Sequence, residues 1–158
     1  MSIKLSSPAF DTGRTIPRKN TGDGDDFSPE LRWSHLPEGT QSAALIVDDP
    51  DAPSEQPWVH WVIYNIPATE SGLPEHVPNS GTVSTAPKGA VQGENSWGSV
   101  GYRGPAPPPG HGIHHYHFRL YALDSRLPLK PGLLKEELLK TIAGHILAEG
   151  ELVGTYQR

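Results

Sequence analysis

The chain has 158 residues, a formal charge of −5 and no cysteine. That length suits one domain, spanning 1–158, with one core. The missing thiols exclude a disulfide framework, a thiolate metal site and a cysteine nucleophile. The acidic balance, with no basic run to offset it, excludes a nucleic-acid or anionic-membrane partner held by the global field, so any phosphate-like ligand needs a local pocket.

In chain order, residues 1–40 carry turn signals (Ser7-Pro8, Asp23-Gly24, Ser28-Pro29) around short strands, with Leu31 and Trp33 alternating toward a core. The opening MSIKLSSPAFDTGR has no apolar stretch of the length a leader needs, and no later segment approaches a membrane span, so the expected location is cytoplasmic. The run SAALIV at 42–47 reads as a buried strand. It is cut off by Asp48-Asp49-Pro50-Asp51-Ala52-Pro53, whose prolines forbid helix and ladder pairing. The next run, WVHWVIYNI at 58–66, is apolar on both faces and reads as a central strand, with Trp58, His60, Val62, Tyr64 and Ile66 together on one face.

Residues 67–113 are rich in Gly, Pro, Ser and Asn, and a loop region of that length is usually functional. HHYHFRLYAL at 114–123 places His114, Tyr116, Phe118, Leu120 and Ala122 on the greasier face, with His115, His117 and Arg119 opposite. From 135 to 149, Leu138, Ile142 and Ile146 recur every four residues beside Leu139, Ala143 and Leu147, and Gly150 follows as a stop, which predicts a helix. The fold class is mainly β with one helix near 135–149.

Three segments thus bring polar groups to strand ends: Asp49 and Asp51, His60, and His114 with Tyr116. A carboxylate beside an imidazole fixes its tautomer, and two imidazoles with a tyrosine hydroxyl and loop N–H groups make a receptor for a small oxyanion. The same groups read equally well as satisfied core or surface residues. His111, His114, His115 and His117 invite a metal reading, yet on a strand His115 and His117 face away from His114, so no three-ligand set is expected. Neither Gly-x-Ser-x-Gly nor His-Glu-x-x-His occurs, so an enzyme is not expected. A hydrolase using His60 with Asp49 as base lacks an evident nucleophile.

Four motifs taken together, Asp49-Pro50-Asp51-Ala52-Pro53, Trp58-Val59-His60-Trp61, Gly101-Tyr102-Arg103-Gly104-Pro105 and Gly112-Ile113-His114-His115-Tyr116, resemble the signatures of phosphatidylethanolamine-binding proteins. With Ser28-Pro29-x-Leu31-x-Trp33 and the closing Leu152-Val153-Gly154-Thr155-Tyr156, the likeness covers nearly the whole chain and is greatest to the prokaryotic, Raf-kinase-inhibitor-like branch. The resemblance implies two antiparallel β-sheets with a few peripheral helices. It also implies a pocket for phosphate, acetate or a phosphoethanolamine head group and, from the prokaryotic members, a homodimer, while the kinase regulation known from animal members is not carried over. No cofactor is expected, and a protein kinase or protease is a candidate partner. Carried over residue by residue, the resemblance assigns Asp49, Pro53, His60, Tyr102, Gly104, Ala106, His114 and Tyr116 to ligand binding. Ala106 stands where relatives often carry glycine or cysteine, which narrows the rim, and the chain stops shortly after Tyr156 without the extension that covers the pocket in animal members, which implies an open site. The competing function is an inhibitor of a protease or kinase that acts through its loop surface, independently of the pocket.

Overall fold

The computed structural model describes residues 2–158. The two long apolar runs form adjacent antiparallel strands, β3 (Ser42–Asp49) and β4 (Trp58–Pro67). Every residue of β3 is buried, as a strand covered on both faces must be. With β6 (Val91–Gln92), β7 (His114–Leu123) and β8 (Ile146–Tyr156) they make a five-stranded sheet in the order β6-β4-β3-β7-β8. A smaller sheet, β1-β2-β5, joins β1 (Leu5–Ser6), β2 (Leu31–Trp33) and β5 (Gly72–Leu73), also antiparallel.

Between the sheets lies the larger core: Leu31, Trp33 and Leu73 of the small sheet meet Leu45, Val47, Trp61, Phe118 and Leu120 of the large one. The other face of the large sheet packs Ile46, Val62, Tyr64 and Tyr121 against Leu138 and Ile142 of the helix α1 (Lys135–Ile142). The fold is mainly β with two antiparallel sheets, as expected from the sequence; a single 3-10 turn at Arg18–Asn20 accompanies α1.

The helix expected to reach 149 ends at Ile142. Gly144 takes φ +84°, a conformation that side chains disfavour, and the His145 N–H donates back to the Ile142 carbonyl at 2.9 Å. Residues 146–156 then pair along the whole of β7. The recurrence of Ile146 and Leu147 is coincidental: both side chains are exposed, and ladder bonds to β7 outweigh a weak helical preference. Gly150 is no stop either. It lies in mid-strand opposite Leu120, where a Cβ would stand 2.3 Å from the Ile3 carbonyl oxygen. A glycine inside a strand marks just such a close backbone approach.

Candidate functional site

β3 ends on two aspartates that serve opposite faces. Asp48 is buried beneath the Arg119 guanidinium at 3.3 Å and the Lys135 ammonium at 2.6 Å, tying α1 to the sheet. Asp49 points the other way. Its Oδ1 accepts the Asp51 N–H at 2.8 Å, which closes the turn that the two prolines begin, and its Oδ2 accepts from His114 Nδ1 at 2.6 Å.

Trp58 pairs with Asp49, so alternation from that pair puts His60 on the Asp49 face as well. The strand does not alternate strictly. Val47 pairs with Trp61 and Asp48 with Val59, so β4 carries one extra residue there, a bulge at His60. His60 therefore joins Asp49, His114 and Tyr116, and the extra residue carries Trp61 and Ile63 onto the same face as the inter-sheet core, with Val59 and Val62 on the helix side. A second irregularity, between the pairs Ala43–Ile66 and Leu45–Ile63, coincides with Asn65 at φ +52°. The single-face reading of Trp58, His60, Val62, Tyr64 and Ile66 therefore fails at two points. Bulges follow from ladder pairing, which the apolar pattern of one strand does not encode.

Asp49, His60, His114 and Tyr116 line one pocket of about 270 Å³, completed by Pro53, Ala106, Trp58, Trp97, Pro107 and Pro108. His60 stands edge-on to both Trp97 and Tyr116, at ring distances of 5.0 and 5.1 Å. A carbonyl can only accept, so the 2.6 Å contact between His60 Nδ1 and the Arg103 carbonyl places the ring proton on Nδ1 and leaves a lone pair on Nε2. On His114 the Asp49 carboxylate holds the proton on Nδ1, while Nε2 meets Nδ1 of His111 at 2.6 Å. Asp49, His114 and His111 thus form a hydrogen-bonded file running outward from the buried turn to the loop that carries Ala106, Pro107 and Pro108.

Of the residues singled out in the sequence, Asp49, Pro53, His60, Ala106, His114 and Tyr116 converge at the pocket. Tyr102 and Gly104 are not brought there. Tyr102 is buried behind the site with its O–H donated to the Asn20 carbonyl at 2.6 Å, and Gly104 donates its N–H to Asp26 at 2.8 Å. A Cβ on Gly104 would stand 2.3 Å from the Asn20 carbonyl oxygen, so both residues position the loop behind His60. His115 and His117 lie on the opposite face, paired with Asp51 at 2.8 Å and Glu151 at 3.4 Å. Sequence reasoning missed Trp97, which comes from a loop without periodicity, and named His111 only in the metal reading, without its contact to His114, which the fold supplies. Its one signal was the i, i+3 spacing to His114 across a Gly-Ile turn.

Burial pulls His60 down to about 4, against the Arg103 carbonyl and the Asp49 and Asp48 carboxylates, which favour its charged form. Burial first, then the Asp49 carboxylate, pushes the Tyr116 phenol far above its ordinary value, so the hydroxyl keeps its proton. The unfolded chain takes up the His60 proton near 6.5 and the folded protein only near 4. Stability held by neutral His60 is therefore complete above pH 6.5 and is lost as pH falls toward 4, with a slope of at most about 1.4 kcal/mol per pH unit. Urea unfolding at several pH values should show that loss in the wild type and a shallower one in His60→Gln; equal slopes would mean the ring is not held neutral.

Among the described residues no helix is long and apolar enough to cross a membrane. The profile of the family described as phosphatidylethanolamine-binding protein matches residues 6–157. A UPF0098 protein of Methanothermobacter thermautotrophicus is 49% identical over 156 residues, covering 99% of each chain. The crystal structure of YbcL from E. coli, described as a member of the mammalian PEBP family, superposes with a TM-score of 0.91 at 34% identity over 100% of this chain and 99% of its own. That of a putative phosphatidylethanolamine-binding protein homolog from Chlamydia trachomatis does so with a TM-score of 0.89 at 40% identity, over 99% and 98%. Fold, motifs and these matches agree: the chain belongs to the phosphatidylethanolamine-binding protein family.

Proposed function

We propose that this protein binds a small oxyanion, a phosphate- or carboxylate-type head group, in the pocket between the ends of β3, β4 and β7. One observation carries the reading: in a pocket otherwise walled by tryptophan, proline and alanine, His60 and Tyr116 are buried residues, yet His60 Nε2 and the Tyr116 hydroxyl face the cavity with no hydrogen-bond partner among the described residues. Buried polar atoms are normally satisfied, and atoms left open toward a cavity are those a ligand completes. At about 270 Å³ the space suits a head group and not a whole lipid. The family name points to the same ligand class.

Binding is favoured over turnover by the state of the candidate groups. Ser54, the one serine lining the pocket, gives its hydroxyl to the Gln56 carbonyl at 2.6 Å, the Tyr116 hydroxyl resists deprotonation, and His60 is a weak base. The test is an NMR titration of the histidine rings at about pH 6 with phosphate and with phosphoethanolamine. His60 and His114 should shift together and saturably while His115 and His117 stay still. Tyr116→Phe should weaken the binding roughly five- to tenfold, the worth of one neutral hydrogen bond. Stationary His60 and His114 signals at millimolar ligand would overturn the proposal.

A further inference from the structure

One wall of the pocket is a stiff segment held only at its ends. Ala106, Pro107 and Pro108 line the cavity, and the prolines at 105, 107, 108 and 109 leave only Ala106 and Gly110 with a backbone N–H in the stretch 105–110. Proline runs have few internal degrees of freedom, so such a segment moves as a piece and its ends decide where it sits. Among the described residues two backbone hydrogen bonds tie it to distant parts of the chain, one at each end. The Gly22 N–H donates to the Pro105 carbonyl at 2.8 Å, and the Gly110 N–H donates to the Arg158 carbonyl at 3.2 Å.

Both anchors meet at Asp23. Its Oδ1 accepts from Arg158 Nη2 at 2.8 Å and Nε at 3.0 Å, and its Oδ2 accepts the Tyr156 O–H at 2.8 Å. Gly22 precedes it directly, in a turn fixed by the Thr21 hydroxyl, which accepts the Asp23 N–H at 3.2 Å and donates to the Arg18 carbonyl at 2.8 Å. A Cβ on Gly22 would stand 3.2 Å from the Ala106 Cβ, so turn and wall are in close contact. A lone surface ion pair contributes little, but a carboxylate that holds a guanidinium fork and a tyrosine hydroxyl together orders the turn, the end of β8 and the wall at once. Past Gly110 the wall leads to His111, whose Nδ1 lies 2.6 Å from His114 Nε2, so its position is felt inside the pocket as well.

We propose that Asp23, Tyr156 and Arg158 form a latch that holds the proline wall over the pocket, and that Asp23 and Arg158 are positioning residues for the ligand although neither lines the cavity. The latch follows from these contacts; its effect on affinity rests on the oxyanion reading above. With the carboxylate removed, Arg158 leaves the turn, the Gly110 bond goes with it, and the wall swings outward as a unit. His111 then withdraws from His114, and the ligand loses the cover that keeps competing water from its hydrogen bonds.

The test uses Asp23→Ala, Arg158→Ala and the double variant, with inorganic phosphate as the probe. Both side chains are partly exposed, and urea unfolding checks that each variant folds. Tyr156→Phe, which removes one contact and no charge, should give a smaller change in the same direction. Without ligand, amide exchange followed by NMR should quicken at Gly22 and Gly110 in Asp23→Ala by on the order of fivefold or more, while Val47 and Phe118 keep wild-type rates. The His114 ring signals should move in the same sample. Phosphate affinity should fall roughly three- to tenfold in each single variant, and the double variant should bind no more weakly than Asp23→Ala, since both changes open one latch. Unchanged exchange at Gly110 with unmoved His114 signals overturns the proposal, and so does a double variant whose loss is the sum of the single losses. A loosened wall with phosphate affinity unchanged overturns the positioning role. If the wild-type protein itself binds no phosphate, the oxyanion site falls, and the exchange rates alone decide the latch.

Discussion

Replacing Asp49 by alanine should cost about 3–5 kcal/mol of folding stability and abolish ligand binding. Asp49 and His114 are almost completely shielded, with side chains 4% and 2% exposed, and their contact at 2.6 Å is the only partner of His114 Nδ1. Alanine leaves that donor buried and unpaired, frees the Asp51 N–H, and unhooks the turn at 50–53 that forms one wall of the pocket. Asparagine should cost less, since its carbonyl oxygen can still accept from His114. Urea unfolding at pH 7 is therefore expected to rank wild type above Asp49→Asn above Asp49→Ala, with the midpoint of the alanine variant lower by on the order of 1–3 M and its slope unchanged. An alanine variant within about 1 kcal/mol of wild type would show that the pair carries no such load.

How much of this was legible in the sequence depends on which interactions decide each feature. The identity of β3, β4 and β7 was written in local composition, since a run of β-branched and aromatic residues bounded by prolines has few other fates. The convergence of Asp49, His114 and Tyr116 followed from counting faces from the strand ends, and on β7 the register runs without a shift from His114 to Ala122. On β4 the count places Trp58 and His60 on the pocket side but misses the bulge that carries Trp61 and Ile63 onto that face and Val62 and Tyr64 off it, and no property of the WVHWV run announces an extra residue. The segment after Ile142 failed for a related reason. Residues 146–149 satisfy a helical pattern locally, but β7 offers a complete edge to pair with, and that long-range choice is invisible in a short window. The glycines tell the same story from the other side: Gly104 and Gly150 are small because the Asn20 and Ile3 carbonyls press on them, and neither neighbour is near in sequence.

Trp61→Ala should lower stability by about 3–5 kcal/mol, the range for removing a fully buried large aromatic side chain. Trp61 has no exposed surface and fills the inter-sheet core beside Tyr102, edge to face with ring centroids 5.5 Å apart. Its indole N–H also donates to Gln92 Oε1 at 2.8 Å, and the Gln92 amide in turn donates to the Pro78 and Ser80 carbonyls at 2.6 and 2.8 Å. Gln92 is completely buried, so this network fastens the loop at 78–80 to β4 and β6 and has no water to replace a lost partner. Trp61→Phe separates the two contributions. It keeps most of the apolar bulk but leaves Gln92 Oε1 unpaired, so about 1–3 kcal/mol should be lost through the hydrogen bond in addition to any packing defect. Combining Trp61→Phe with Gln92→Ala should then cost less than the sum of the single changes, by about 0.5–3 kcal/mol, and strict additivity would show that the bond is not formed. Because Trp61 follows His60 directly in the bulge, the same substitutions loosen the base on which His60 rests. Ligand affinity should fall in Trp61→Ala even in the fraction that remains folded, although Trp61 does not itself line the pocket.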